Sequence, residues 1–311
     1  VGAFLPKVIF QQKFRSKKNI TFALYTLTMK KLLYFFTFAF SLLIVFSCEP
    51  NRAENGDLLF GVGGTGSDGG SGGGGTPPAG RLLTKTESHT LNEETGEWED
   101  QTTTYQYEGN KFISYTGDGD VWLMTYNSNN KISKITNPAQ TVTLEYSGAN
   151  VSKMVSEIPG FLKTTATYTY NGTQLIKVVA ILDTSFPIPA KAYLEANYTY
   201  TGANITKTVA KSGVYDLLGE LQMNPEINTY EMTYDNKQSP MRLLPTEFLV
   251  YLAGMAPHGG SLLSANNVTQ QKHSVTGAPT ETFDYTHIYD SQGYPTKSTS
   301  SADEYVNYTY K

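Results

Sequence analysis

Eight stretches of this chain end in tyrosine after a run in which apolar or aromatic residues alternate with Thr, Glu or Asn, closing at Tyr107, Tyr126, Tyr146, Tyr170, Tyr200, Tyr234, Tyr289 and Tyr310. A period of two marks a β-strand with one buried and one wet face. In the run to Tyr146, Val142, Leu144 and Tyr146 share one face while Thr141, Thr143 and Glu145 share the other. The run to Tyr200 repeats this, with Leu194, Ala196 and Tyr198 opposed to Glu195, Asn197 and Thr199. β-Branched and aromatic residues abound in these runs and strong helix formers are scarce, which is the composition of a sheet.

The residues after each closing tyrosine repeat as well. Tyr146-Ser-Gly-Ala-Asn-Val-Ser-Lys153, Tyr170-Asn-Gly-Thr-Gln-Leu-Ile-Lys177 and Tyr200-Thr-Gly-Ala-Asn-Ile-Thr-Lys207 share a glycine two residues after the tyrosine and a returning lysine. Such a glycine supplies the positive φ of a tight hairpin turn. A looser copy runs from Tyr126 to Lys134. The first intervals between closing tyrosines, 19, 20, 24 and 30 residues, fit one hairpin per repeat. The pattern predicts an all-β antiparallel meander of roughly a dozen or more strands, two per repeat. Twist accumulates in so long a sheet, so it must curve or close into a barrel. Outer-face candidates are Thr, Glu, Gln and Asn, where a lipid-facing band requires aliphatic and aromatic residues. The expected barrel therefore stands in water and is no membrane pore.

Two stretches, Ser212 to Asn224 and Asn236 to Gln271, contain apolar clusters and are too long for hairpin loops. In the second, Thr246 can cap a short helix carrying Phe248, Leu249 and Leu252, with Gly254 as its stop and Pro257 beyond. This helical insertion is expected to pack over an open end or face of the sheet.

The N-terminal part obeys a different logic. Met29-Lys30-Lys31 precedes fifteen mostly apolar residues, Leu32 to Phe46, then Ser47 and Cys48, the only cysteine. Basic, apolar and small-residue zones in that order make a secretory signal, and fifteen residues fall short of the roughly 20 that cross a bilayer. Residues 1–28 read as an upstream extension, so residues 1–47 form extension plus signal. Residues 48–80 form an anchor and tether, since eleven of the twenty residues from Gly61 to Gly80 are glycine. A Gly/Ser-rich tether behaves as flexible coil, with a root-mean-square reach of about 30 Å for its length. Residues 81–311 form the hairpin domain.

Of 24 Lys and Arg, seven precede Cys48, whereas none of the 28 Asp and Glu do, so the remaining chain carries 17 minus 28, or −11. That balance excludes nucleic acid as a partner, because phosphates are bound through clustered Lys and Arg. A single cysteine leaves no intrachain disulfide, and once it is lipidated no thiol nucleophile or Cys-based zinc site.

Val45-Phe46-Ser47-Cys48 resembles the lipobox of bacterial lipoproteins. There the thiol carries diacylglycerol, the signal is removed and the new N-terminus receives an acyl chain such as palmitate. Together with the Tyr-x-Gly-x-x-apolar-x-Lys hairpins, the glycine tether and Ser264-Ala265-Asn266-Asn267-Val268 after the insertion, the chain resembles bacterial lipoproteins bearing a domain of unknown function with a porin-like fold. Tyr289-Asp290-Ser291-Gln292-Gly293 is similar to YD-repeat proteins. The resemblance spans about residues 85–311. It implies a barrel-like sheet and a lipid-anchored place in the outer membrane, and brings no catalytic residues.

Apparent chemical motifs lack their structural setting. Gly61-Val-Gly-Gly-Thr-Gly66 and Gly69-Gly-Ser-Gly-Gly73 match a dinucleotide fingerprint and a nucleophile elbow, yet both lie in the tether rather than at strand-to-helix turns. Asp118-Gly119-Asp120 offers only the start of a calcium loop. His89, His258, His273 and His287 show no zinc-enzyme spacing, and His287, alternating with Tyr285 and Tyr289, reads as a satisfied sheet residue. Asn-x-Ser/Thr triplets such as Asn204-Ile-Thr206 arise from frequent turn Asn and strand Thr. Regular one-face spacing makes the tyrosines a core ladder, which leaves Trp98 and Trp122 as the candidate exposed ligand platform. The expectation is a lipidated binding or accessory module for a glycan or envelope protein, at the cell surface in preference to the periplasmic face, with no cofactor, no metal and no enzymatic activity. A purely structural envelope protein and a hydrolase with unidentified carboxylates are the alternatives.

Overall fold

The structure is a computed structural model and describes residues 81–91, 97–117, 119–185, 189–301 and 303–311. The tether, Cys48 and Asp118 lie outside the described residues. Strands run in chain order as β1 (Leu83–Leu91), β2 (Trp98–Glu108), β3 (Lys111–Gly117), β4 (Asp120–Tyr126), β5 (Ile132–Thr136), β6 (Thr141–Ser147), β7 (Asn150–Ile158) and β8 (Leu162–Asn171). They continue as β9 (Gln174–Thr184), β10 (Ala190–Thr201), β11 (Asn204–Tyr215), β12 (Leu221–Tyr234), β13 (Val268–Val275), β14 (Glu281–Tyr289), β15 (Pro295–Ser300) and β16 (Tyr305–Tyr310). Each pairs antiparallel with its sequence neighbour, and β1 pairs with β16, so the sixteen strands close into a barrel. Closure is completed by Leu82 and Lys311, whose backbone groups exchange hydrogen bonds of 3.0 and 2.9 Å.

Each closing tyrosine sits at or one residue before the end of an even-numbered strand, so eight repeats make sixteen strands. At all eight the ladder shifts register. Glu145 pairs with Lys153 but Tyr146 with Val151, leaving Ser152 as the extra residue of a bulge. The turn between is made by Gly148 at φ 60°, and in the looser Tyr126 copy by Asn130 at φ 55°.

The bulges explain why the residue is tyrosine. Tyr146 donates its hydroxyl to the carbonyl of Ile132 at 2.5 Å, and Ile132 is the register partner of the preceding closing tyrosine, Tyr126. The same rung joins Tyr107 to Leu83 (2.9 Å), Tyr200 to Leu175 (3.1 Å) and Tyr310 to Pro295 (2.6 Å). Tyr126 donates likewise to Phe112 and Tyr234 to Ile205. Since Leu83 pairs with Tyr310, the ring of rungs continues across the seam. Two rungs differ. The Tyr170 hydroxyl is buried with no partner, and Tyr289 turns to the Asp235 carboxylate while His287 Nε2 takes the Val268 carbonyl at 2.9 Å.

Inward residues such as Ile135, Val142, Met154, Ala166, Val178 and Ala196 are fully buried. Sixteen-stranded barrels leave a lumen too wide for strand side chains alone to fill. Here the insertion between β12 and β13 fills it, through a 3₁₀ turn (Pro240–Leu243), helix α1 (Thr246–Met255) and a second 3₁₀ segment (Pro257–Leu263). A helix apolar around its whole circumference belongs in an interior, and α1 buries Phe248, Leu249, Val250, Tyr251, Ala253 and Met255. Phe248 meets Phe112 and Tyr115 edge-on at 5.1 and 5.3 Å, and the buried Glu247 carboxylate accepts from Ile132 N at 3.2 Å.

The expected helix is therefore present and, of the two placements expected, packs on a face of the sheet, the inner one that lines the lumen. Gly254 is not its stop. It lies within α1, where only glycine fits, since a Cβ there would fall 1.9 Å from the Tyr168 hydroxyl oxygen. Ser212 to Asn224, expected to break the repeat, belongs to an ordinary hairpin in which β11 runs to Tyr215 and β12 starts at Leu221. The alternation fades there because the hairpin tip is exposed, with Leu217 at 105% and Leu218 at 86%.

The outer wall mixes ion pairs with exposed apolar residues such as Val121, Leu123 and Ile288. Its recurring lysines pair across strands with glutamates, as in Lys153–Glu145, Lys177–Glu195 and Lys207–Glu231, each at 2.8 Å. The interior is apolar and plugged by the insertion.

Candidate functional site

On the outward face of β1, His89 is in register with Asp100 on β2 and Tyr305 on β16. Trp98 lies two residues from Asp100 on the same face of β2, which makes it the diagonal neighbour of His89. The His89 ring stacks on Trp98 at 4.7 Å between centroids and 5° between planes, and on Tyr305 at 5.0 Å and 19°. Lys297 on β15 places its ammonium 4.1 Å from the Tyr305 ring centroid. Trp98, His89, Tyr305 and Lys297 thus form one stack across four strands and the barrel seam. His89 Nδ1 donates to the Asp100 carboxylate at 2.7 Å, which fixes the imidazole plane. Glu304, beside Tyr305, accepts from Leu91 N at 3.2 Å and ties the same seam together.

Strand side chains stand roughly perpendicular to a sheet, so the stack lies along the wall and its internal faces are consumed. Of the two terminal faces, Tyr305 meets Lys297. Among the described residues no ring or cation is recorded against the face of Trp98 turned away from His89. Trp98 is 45% exposed, and no other Phe, Trp or Tyr among the described residues is as exposed. Aromatic contacts of this kind contribute about 0.5–1.5 kcal/mol each beyond burial, and they hold the indole upright before any ligand arrives.

The sequence also pointed to Trp122, and here the structure corrects the expectation. Trp122 is 3% exposed, faces the lumen and stacks on Tyr115 at 5.8 Å and 1°. The pattern Val121-Trp122-Leu123 is apolar throughout, so alternation could not say which face looked inward, and the barrel sends Val121 and Leu123 out. In place of Trp122, the platform recruits His89 and Tyr305, which lie 216 residues apart and meet only because the barrel closes. No local signal could have joined them.

Solved structures include one similar to this chain. A porin-like protein from Bacteroides uniformis is 16% identical, with a TM-score of 0.49, and the match covers 74% of this chain and 98% of that one. No protein-family model matches the sequence, and no curated protein does.

His287, His273 and Glu195 are held by partners within the sheet. His287 Nδ1 lies 2.8 Å from Ser298 Oγ, and burial pushes its imidazole below the usual range. His273 stacks on Tyr230 at 4.5 Å and lies 2.9 Å from Asn228. Burial opposes ionisation of Glu195, but hydrogen bonds from Lys177, Tyr193 and Asn197 outweigh it and hold the carboxyl at about 2. Among the described residues no group of three or more His, Cys, Asp or Glu could hold a metal ion. The wall's chemical offer is an upright aromatic face with a neighbouring carboxylate.

Proposed function

We propose that this chain is a lipid-anchored binding module of the cell envelope, held in the outer membrane through acyl chains on Cys48 and displayed at the cell surface, which docks a glycan without turning it over. The stack ending in Trp98 carries this reading. An upright, preorganised indole face suits the CH-rich face of a sugar ring, and nearby polar groups such as Asp100 can meet its hydroxyls. The plugged lumen supports a role for the barrel as scaffold, with recognition on its outside. Lipidation is supported by the signal and by Val45-Phe46-Ser47-Cys48.

The test is a thermal-shift screen of the purified full chain against oligosaccharides and polysaccharides, with product analysis of every hit. A shift without products, lost in Trp98→Ala, is the expected result. Released sugar would make the protein a hydrolase, and silence across the panel would remove the glycan reading. Labelled palmitate should be incorporated in cells by the native chain and not by Cys48→Ser; equal labelling would refute the anchor.

A further inference from the structure

The two ends of the aromatic stack differ in one respect. At the Tyr305 end the protein supplies its own ammonium, Lys297, 4.1 Å from the ring centroid. Another outward tyrosine is treated alike, since Lys191 lies 4.8 Å from the Tyr215 centroid. Among the described residues no lysine or arginine lies over Trp98, although indole is the best cation acceptor of the three aromatic rings. The neighbouring side chain on its own strand face is instead the carboxylate of Asp100, 82% exposed, with one oxygen engaged by His89. Its second oxygen points to no described partner. An electron-rich face with no cation of its own, beside an exposed carboxylate, is complementary to a ligand that brings the cation.

We infer that the Trp98 face takes an amino sugar with a free ammonium group, of the glucosamine type, in preference to its N-acetylated counterpart. This rests on the glycan reading and narrows it. The pyranose CH face covers part of the indole, and the ammonium lies over the rest of the same face, within reach of the free oxygen of Asp100. The neutral N-acetyl form keeps the first contact and loses the second. Overall acidity, −11 for the chain after residue 47, draws such a cation toward the wall. Because the ion pair is exposed, added salt weakens the preference.

The experiment is calorimetry on the full chain with a β-1,4-linked glucosamine tetramer, its fully N-acetylated counterpart and a lysine tetramer. The glucosamine form should bind about fivefold or more tightly than the acetylated form, a ratio set by one exposed cation–π contact and its carboxylate. Trp98→Ala should abolish binding of both sugars. Asp100→Asn, folded as judged by an unchanged melting temperature, should collapse the ratio toward one. Equal affinity for the two sugars overturns this inference and leaves the glycan reading standing. Binding of neither sugar overturns this inference while the panel decides the glycan reading, and binding of the lysine tetramer alone overturns this inference in favour of a cationic peptide.

Discussion

The hydroxyl of Tyr146 donates to the carbonyl of Ile132, 2.5 Å away, across a bulge that recurs at every closing tyrosine of the barrel. A bulge removes a carbonyl from its ladder partner, and a buried carbonyl without a donor is costly. The tyrosine of the next repeat supplies that donor, so one residue type closes the core and repairs the backbone.

Tyr146→Phe should therefore destabilise the barrel by about 1–2 kcal/mol, the range for a buried carbonyl losing its donor. Tyr170→Phe is the internal control. Its hydroxyl is buried without a partner, so removing it should change stability by less than about 0.5 kcal/mol. Denaturant midpoints of the two variants check this, and equal losses would show that the rungs carry no weight.

Gly254 should be intolerant of a methyl group. Gly254→Ala places a Cβ 1.9 Å from the Tyr168 hydroxyl oxygen and 2.9 Å from its ring carbon, so helix or ring must move. Overpacking of this kind costs about 1–3 kcal/mol. Tyr168→Phe removes the nearer atom, and the double variant should regain part of the loss. Strict additivity in thermal unfolding would mean that α1 does not press on β8.

Alkaline pH should unfold the barrel. Burial pushes the phenols of Tyr105 and Tyr230 up to about 12 from the usual 10, with the Thr86 side chain opposing the shift at Tyr105. The unfolded chain loses those protons near pH 10 while the folded chain keeps them, so stability is intact below 10 and falls as pH rises toward 12. Phenolate absorbance should rise together with loss of β-sheet circular dichroism in that window. Titration of these tyrosines near their ordinary value with the sheet intact would contradict their burial.

Much of the barrel was legible because each repeat carries its own instructions. Tyr146, Gly148 and Lys153 mark a strand end, a turn and an outward position, and the eight closing tyrosines, one per strand pair, announce a meander of a dozen or more strands. The helix over residues 246–253 was legible as well, but not its place. An all-apolar face around α1 says that it is buried without saying in what, and the lumen exists only once β1 meets β16. The platform was half legible for the same reason. Trp98 stands out in a polar strand, whereas His89 and Tyr305 become its neighbours through closure, and Trp122 sits in an apolar run whose facing alternation could not decide.

The protein contains two tryptophans, which allows one direct test of the claim that recognition takes place on the outer wall at Trp98. Acrylamide quenching is measured in the Trp122→Phe and Trp98→Phe variants, with and without the best oligosaccharide of the screen. Trp98, as the sole indole, should be readily quenched and become protected by the sugar, while Trp122 should resist quenching in both conditions. Protection of Trp122, or quenching of Trp98 indifferent to a sugar that binds, would place recognition elsewhere and contradict the account.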